Sequence, residues 1–145
     1  MKVFSDEAMT LQKLCELYYT PSQLAHAKRV AQYCSDSVVI PMGLKRFCIK
    51  LAYAHDLLKD TAIDPIIFDA EFLSALKRLT HNKKAQSYAE YCKSIKMDGS
   101  ICSANDWELA AWFVKLADMK DHLNLKDTLT DELKEKYLEG LAELL

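Results

Sequence analysis

Asp118 closes the stretch WELAAWFVKLAD, in which Trp107, Ala110, Ala111 and Val114 recur at helical spacing. It falls four residues after Val114 and seven after Ala111, on the same apolar stripe. An ionised carboxylate there costs several kcal/mol unless a cation or a set of donors meets it. A second polar pair interrupts an apolar helix at LAYAHDLLKDT. His55 follows Leu51 by four and Cys48 by seven; Asp56 follows Ala52 by four and Ile49 by seven. The two side chains are therefore roughly 100° apart around the helix axis, an angle at which neighbours can straddle one ion. His26 borders the stripe formed by Leu24, Ala27 and Val30. Together these are two imidazoles and two carboxylates drawn from three helices. Nitrogen and oxygen donors without thiolate suit a borderline or hard divalent ion such as Mn²⁺, Fe²⁺, Co²⁺ or Mg²⁺. Four such ligands leave about two positions open on a six-coordinate ion, one for a water of lowered pKa and one for a phosphate oxygen. That is the equipment of a metal-assisted phosphoester hydrolase.

Each residue alone has a second reading. His26 could be a hydrogen-bonded core histidine, His55-Asp56 a chance dipeptide, and Asp118 a carboxylate bonded to a lysine or tyrosine of a neighbouring helix.

The elements that would position these groups are helices. The chain has 145 residues, half of them hydrophobic, and only three glycines and three prolines, too few for a turn-rich β fold. A strong start signal stands at Thr20-Pro21 with Gln23 completing a capping box, opening a helix to about residue 38. An earlier helix over 6–18 carries Met9, Leu11, Leu14, Cys15 and Tyr18 on its apolar face. Pro41 and Gly43 break the chain, and one helix is expected from about 44 to 59, with Leu44, Phe47, Cys48 and Leu51 inward. Asp64-Pro65 predicts the start of a helix running through Phe68, Phe72 and Leu76 to Leu79. Residues 80–85 read as a loop, and Tyr88, Tyr91, Cys92 and Ile95 as a short helix closed near Asp98-Gly99. Ser103 is expected to cap the helix that ends at Asp118, and Asp131–Leu144 to form an amphipathic helix on the outside of the bundle. The expectation is a single all-α domain over 1–145, with the site helices within about 20–125.

Composition also bounds the partners. A net charge of −2 and scattered lysines and arginines argue against a surface that coats nucleic acid. Five cysteines without a CxxC pair read as reduced core thiols of a cytoplasmic protein. The opening MKVFSDEAMT carries acids where a signal peptide has an apolar run, and no segment reaches the length of a membrane span.

The order His26…His55-Asp56…Asp118 resembles the HD superfamily of metal-dependent phosphohydrolases. HAKRVAQYC, LAYAHDLLKDT, LTHNKKAQSYAEYCKSI and VKLADMKDHLNL look like the branch of RelA/SpoT-type alarmone hydrolases and their small single-domain relatives. The match covers roughly residues 20 to 125. It implies an HD-type helical bundle in which His26, His55, Asp56 and Asp118 hold a Mn²⁺-like ion, with Fe²⁺, Co²⁺ or Mg²⁺ as alternatives. Asp60 would orient the attacking water, while Lys83, Lys115 and His122 would contact the substrate. The implied reaction removes pyrophosphate from the 3′ position of a guanosine tetra- or pentaphosphate.

Three departures from the branch follow. Lys59 stands where the family has the glutamate of HDxxED, so it is either a phosphate clamp with a catalytic part, the mark of an impaired site, or a solvated lysine at a helix end. His122 stands where an asparagine is frequent. TPSQLAH replaces the Tyr-Ile-x-His-Pro segment that precedes the first histidine. Other readings are a nucleotide phosphatase or phosphodiesterase with the same ion, a nucleotide-binding module without turnover, and a structural helical adaptor. The oligomeric state is left open.

Overall fold

The computed structural model describes residues 4–96, 105–125 and 129–145, and of 4–10 the backbone alone. It is all-α: α1 (Phe4–Tyr18), α2 (Pro21–Asp36), α3 (Met42–Ala54), α4 (Leu57–Asp60), α5 (Ala70–Arg78), α6 (Tyr88–Ile95), α7 (Asp106–Asn124) and α8 (Asp131–Leu144), with no strand among the described residues.

The predicted capping box forms: the Thr20 side chain accepts from the Gln23 backbone N–H at 3.2 Å, and the Gln23 side chain accepts from the Thr20 N–H at 2.9 Å. This fixes the entry angle of α2 and so the azimuth of His26, which lies with Ala27, Val30, Ala31 and Cys34 on the buried face. α1 is held to α3 through Tyr19, not Tyr18. Tyr18 is exposed, while the Tyr19 hydroxyl donates to the Tyr53 carbonyl at 2.7 Å.

The expected helix 44–59 is two pieces. α3 stops at Ala54, Asp56 sits at φ −101°, ψ 0°, and α4 is a single turn. No glycine or proline marks the break. His55 keeps helical dihedrals and is buried, while Asp56 departs from the spiral and stays partly exposed beside it.

Asp64 accepts from the Ile66 N–H as a cap should, but it opens only a 3₁₀ turn over Pro65–Ile67. The true cap of α5 is Asp69, whose side chain accepts from the Phe72 N–H at 2.9 Å. Ser87 and Glu90 form a second capping box at α6. The expected stop at Asp98-Gly99 and cap at Ser103 lie outside the described residues; α7 is capped by Asn105, accepting from the Glu108 N–H.

α7 is the central element. It continues past Asp118 to Asn124 and packs against α2, α3, α5 and α8. Ala110, Ala111, Val114 and Ala117 form its buried stripe, and these small side chains let α2 and α3 approach closely enough for their polar groups to meet. α8 packs on α6 and α7: Leu144 is fully buried, and its carbonyl accepts from the Trp112 indole N–H at 3.0 Å. No helix among the described residues is long and apolar enough to cross a membrane. Cys15, Cys34, Cys48 and Cys92 are free and buried.

Candidate metal centre

α2, the end of α3 and the middle of α7 meet at one carboxylate oxygen. Asp118 Oδ1 lies 2.8 Å from His26 Nε2, 3.1 Å from His55 Nε2 and 3.3 Å from His122 Nε2. Its other oxygen accepts from Lys115 Nζ at 2.9 Å. Asp118 is 4% exposed, so these contacts replace water rather than supplement it. Burial pushes its carboxyl up, but the Lys115 ammonium and the three imidazoles outweigh burial and hold it well below the usual range.

The opposite ring nitrogens carry the second half of the geometry. His55 Nδ1 donates to the Ala52 carbonyl at 2.6 Å, and His26 Nδ1 faces Asp121 Oδ2 at 2.6 Å. Both hydrogens are thereby placed on Nδ1, and both Nε2 atoms are turned to a common centre. With no ion there, each Nε2 facing a carboxylate needs its own proton. Burial lowers the His55 pKa, yet Asp56 and Asp118 override this and push it up to about 9. His26 is raised for the same reason, burial opposing and Asp118 prevailing.

One divalent ion carries the charge of two such protons while leaving both rings neutral, which is the state in which imidazole ligates. His26, His55 and Asp118 present ligand atoms within 4.8 Å of one another, and this group can hold a metal ion. Two imidazoles and a carboxylate are a donor set that fits a divalent cation. Asp56 stands at the edge of the group, its Oδ2 at 3.3 Å from His55 Nε2 and 3.9 Å from His26 Nε2.

Above the donors opens a cleft of about 90 Å³. Pockets that enclose a whole small molecule run to about 300–1,000 Å³, so this one has room for a phosphate end rather than a nucleoside. Lys59, Lys83, Lys115 and His122 all line it. Lys115 does so differently from expectation: it is 6% exposed, ion-paired to Asp118, and held 4.8 Å from the Tyr91 ring centroid and 5.2 Å from that of Tyr88. It is a buried counter-ion of the carboxylate first. Asp60 is not among the lining residues; Lys59 Nζ lies 4.0 Å from its carboxylate, and burial and Asp56 raise its pKa.

Three participants were not foreseen. Lys136 and Tyr137 of α8 line the cleft, Tyr137 stacking on His122 at 4.7 Å between centroids and an interplanar angle of 12°. α8 thus forms a wall of the site, beyond the outer packing expected of it. Tyr137 shares the apolar stripe of Leu133, Leu141 and Leu144, which marks it for packing and not for a site, and nothing in the pattern marked Lys136 off from other exposed positions. Asp121, 1% exposed, bonds His26 and also accepts from Arg29 Nε at 2.8 Å and Nη2 at 3.1 Å. The signal for Asp121 was present: it lies three residues after Asp118, on the same helical face.

A larger groove of about 530 Å³ lies between the α2–α3 connection and α7; its wall is mostly apolar and holds no imidazole. No protein-family model, curated protein or solved structure matches this chain.

Proposed function

We propose that the chain is a metal-dependent phosphohydrolase of the HD type, acting on a nucleotide that carries a 3′-pyrophosphate, as the alarmone hydrolases do. The observation that supports it most is the meeting of His26, His55 and Asp118 beneath a cleft whose rim is cationic. When bound, a divalent ion, Mn²⁺ on this reading, would supply Lewis acidity toward a phosphoryl oxygen and an acidified water. His26, His55, Asp118 and, from the edge, Asp56 would hold it. Lys83 and Lys59 would offset the charge of the phosphate chain, and Lys115 would keep Asp118 ionised; Asp60, outside the cleft lining, would act on the water only through Lys59.

Incubation with Mn²⁺ and guanosine 3′,5′-bis(diphosphate) is expected to release pyrophosphate. Orthophosphate from nucleoside monophosphates instead would move the chain to the phosphatase alternative. No product from any nucleotide would leave the binding module.

That second reading has one observation in its favour: Lys59, at the sequence position where the family has its glutamate, lines the cleft. Lys59→Glu decides between them. A dormant enzyme gains turnover on restoring the acid, whereas a hydrolase that uses Lys59 as its phosphate clamp loses it.

A further inference from the structure

We propose that Asp121 is a positioning residue of the metal centre: it holds the His26 ring with Nε2 turned toward the ion, and Arg29 holds Asp121 in turn. The inference rests on reading the His26, His55, Asp118 group as a metal site. The two histidines are oriented by unlike means. His55 gives its Nδ1 hydrogen to Ala52, a carbonyl of its own helix, so the backbone of α3 sets its ring. His26 has no such local acceptor. Its Nδ1 faces only Asp121 of α7 among the described residues, 95 positions along the chain.

Asp118 and Asp121 are one helical turn apart, so the imidazole is bracketed between two carboxylates of a single element. One takes the ligating nitrogen and the other fixes the hydrogen on the far side. A hydrogen bond from a ligating imidazole to a carboxylate fixes the tautomer and makes the ring a stronger donor. Asp121 would be costly to bury alone, and Arg29 offsets that cost with two hydrogen bonds while its own side chain stays 40% exposed. The chain Arg29–Asp121–His26 therefore leads from the surface to the ion, and it makes His26 the better donor of the two rings.

A purely structural clamp, a doubly protonated His26 fastening α2 to α7, uses the same contacts, so the experiment must read the ring as well as the affinity. Mn²⁺ binding to the full chain is measured by calorimetry, below the melting point of each variant. The hydrogen-bearing nitrogen of His26 is read by nitrogen-15 correlation spectra with Zn²⁺, which is diamagnetic. In the native chain Zn²⁺ should leave the hydrogen on Nδ1 alone. Asp121→Asn should weaken Mn²⁺ binding by about 10–100-fold and disturb that pattern. Asp121→Glu, which keeps a carboxylate, should retain Nδ1–H and lose less affinity, as should Arg29→Gln.

If folded Asp121→Asn binds Mn²⁺ as tightly as the native chain, with the same His26 pattern, Asp121 only fastens helices and the proposal is overturned. Should Asp121→Asn not fold, Asp121→Glu decides: loss of Mn²⁺ binding with Nδ1–H intact overturns it too. If the native chain binds neither ion, the metal reading itself fails and Asp121's role goes with it.

Discussion

At the scale of single residues, the nitrogens that could hold a metal ion compete for protons, and this gives the group a pH signature. His55 has an unfolded pKa of about 6.5 and a folded one near 9, raised against burial by Asp56 and Asp118. A raised folded value means that the protonated ring stabilises the ion-free fold. That contribution is fully present below about pH 6.5 and is lost as pH climbs through about 9. A metal ion competes for the same nitrogen, so its hold strengthens over the window in which the proton's weakens. Melting curves with and without Mn²⁺ between pH 6.5 and 8.5 should therefore diverge as pH rises; a constant gap would mean His55 is not a ligand. The lysines are separable from the ligands by the same logic. His55→Ala should lose the ion while the bundle still melts cooperatively. Lys83→Ala should keep the ion and raise the substrate concentration needed for half-maximal rate. Calorimetry beside steady-state kinetics would expose the opposite pattern.

Among the elements, α8 makes the most direct claim. Gly140 lies inside a helix, where alanine would ordinarily be favoured by about 1 kcal/mol. A Cβ there would come 2.6 Å from Tyr88 Cε2 and 2.9 Å from Cys92 Sγ. Overpacking of that kind costs about 1–3 kcal/mol, so Gly140→Ala should lower the melting temperature, against propensity. Because Tyr88 also lines the cleft, the same change should weaken phosphate binding. A more stable Gly140→Ala variant would show that α8 docks elsewhere.

The elements also show why some features were legible and others were not. The cap of Thr20 with Gln23 was readable because its chemistry is local and needs no tertiary partner. The break at Asp56 was not, because apolar spacing runs unbroken from Leu51 to Leu57 while the chain leaves the spiral in between. Asp64 was a correct acceptor with the wrong consequence, since Asp69 offers a second cap a few residues on. His26, His55 and Asp118 stood out as polar groups on apolar faces. Lys136 sits on an exposed-looking position and Tyr137 on the packing stripe of α8, and the docking of α8 on α6 and α7 brings both to the cleft.

Over the whole molecule, the core and the centre contribute to stability separately. The buried cluster joins Leu11 and Cys15 of α1 to Val30 and Cys34 of α2, Leu51 of α3, Leu76 of α5, Ile95 of α6, Val114 of α7 and Leu144 of α8. None of these touches the ion site through a polar atom, so folding does not wait on metal as it does in a small zinc domain. The chelated protein is expected to keep its helical circular dichroism and one cooperative transition. Its thiols report the same core: burial pushes Cys15, Cys34 and Cys48 up to about 12, so alkylation of these three at pH 8 should await denaturant. Added ion then acts by mass action alone. At a hundredfold excess over its dissociation constant it stabilises by about 2.7 kcal/mol, and each kcal/mol is worth about 2–4 °C in a chain of this size. Saturating Mn²⁺ should thus raise the melting temperature by roughly 5–10 °C in the native chain and leave Asp118→Asn nearly unmoved. An equal rise in both would place the ion on surface carboxylates, and the three helices would then meet at Asp118 for packing alone.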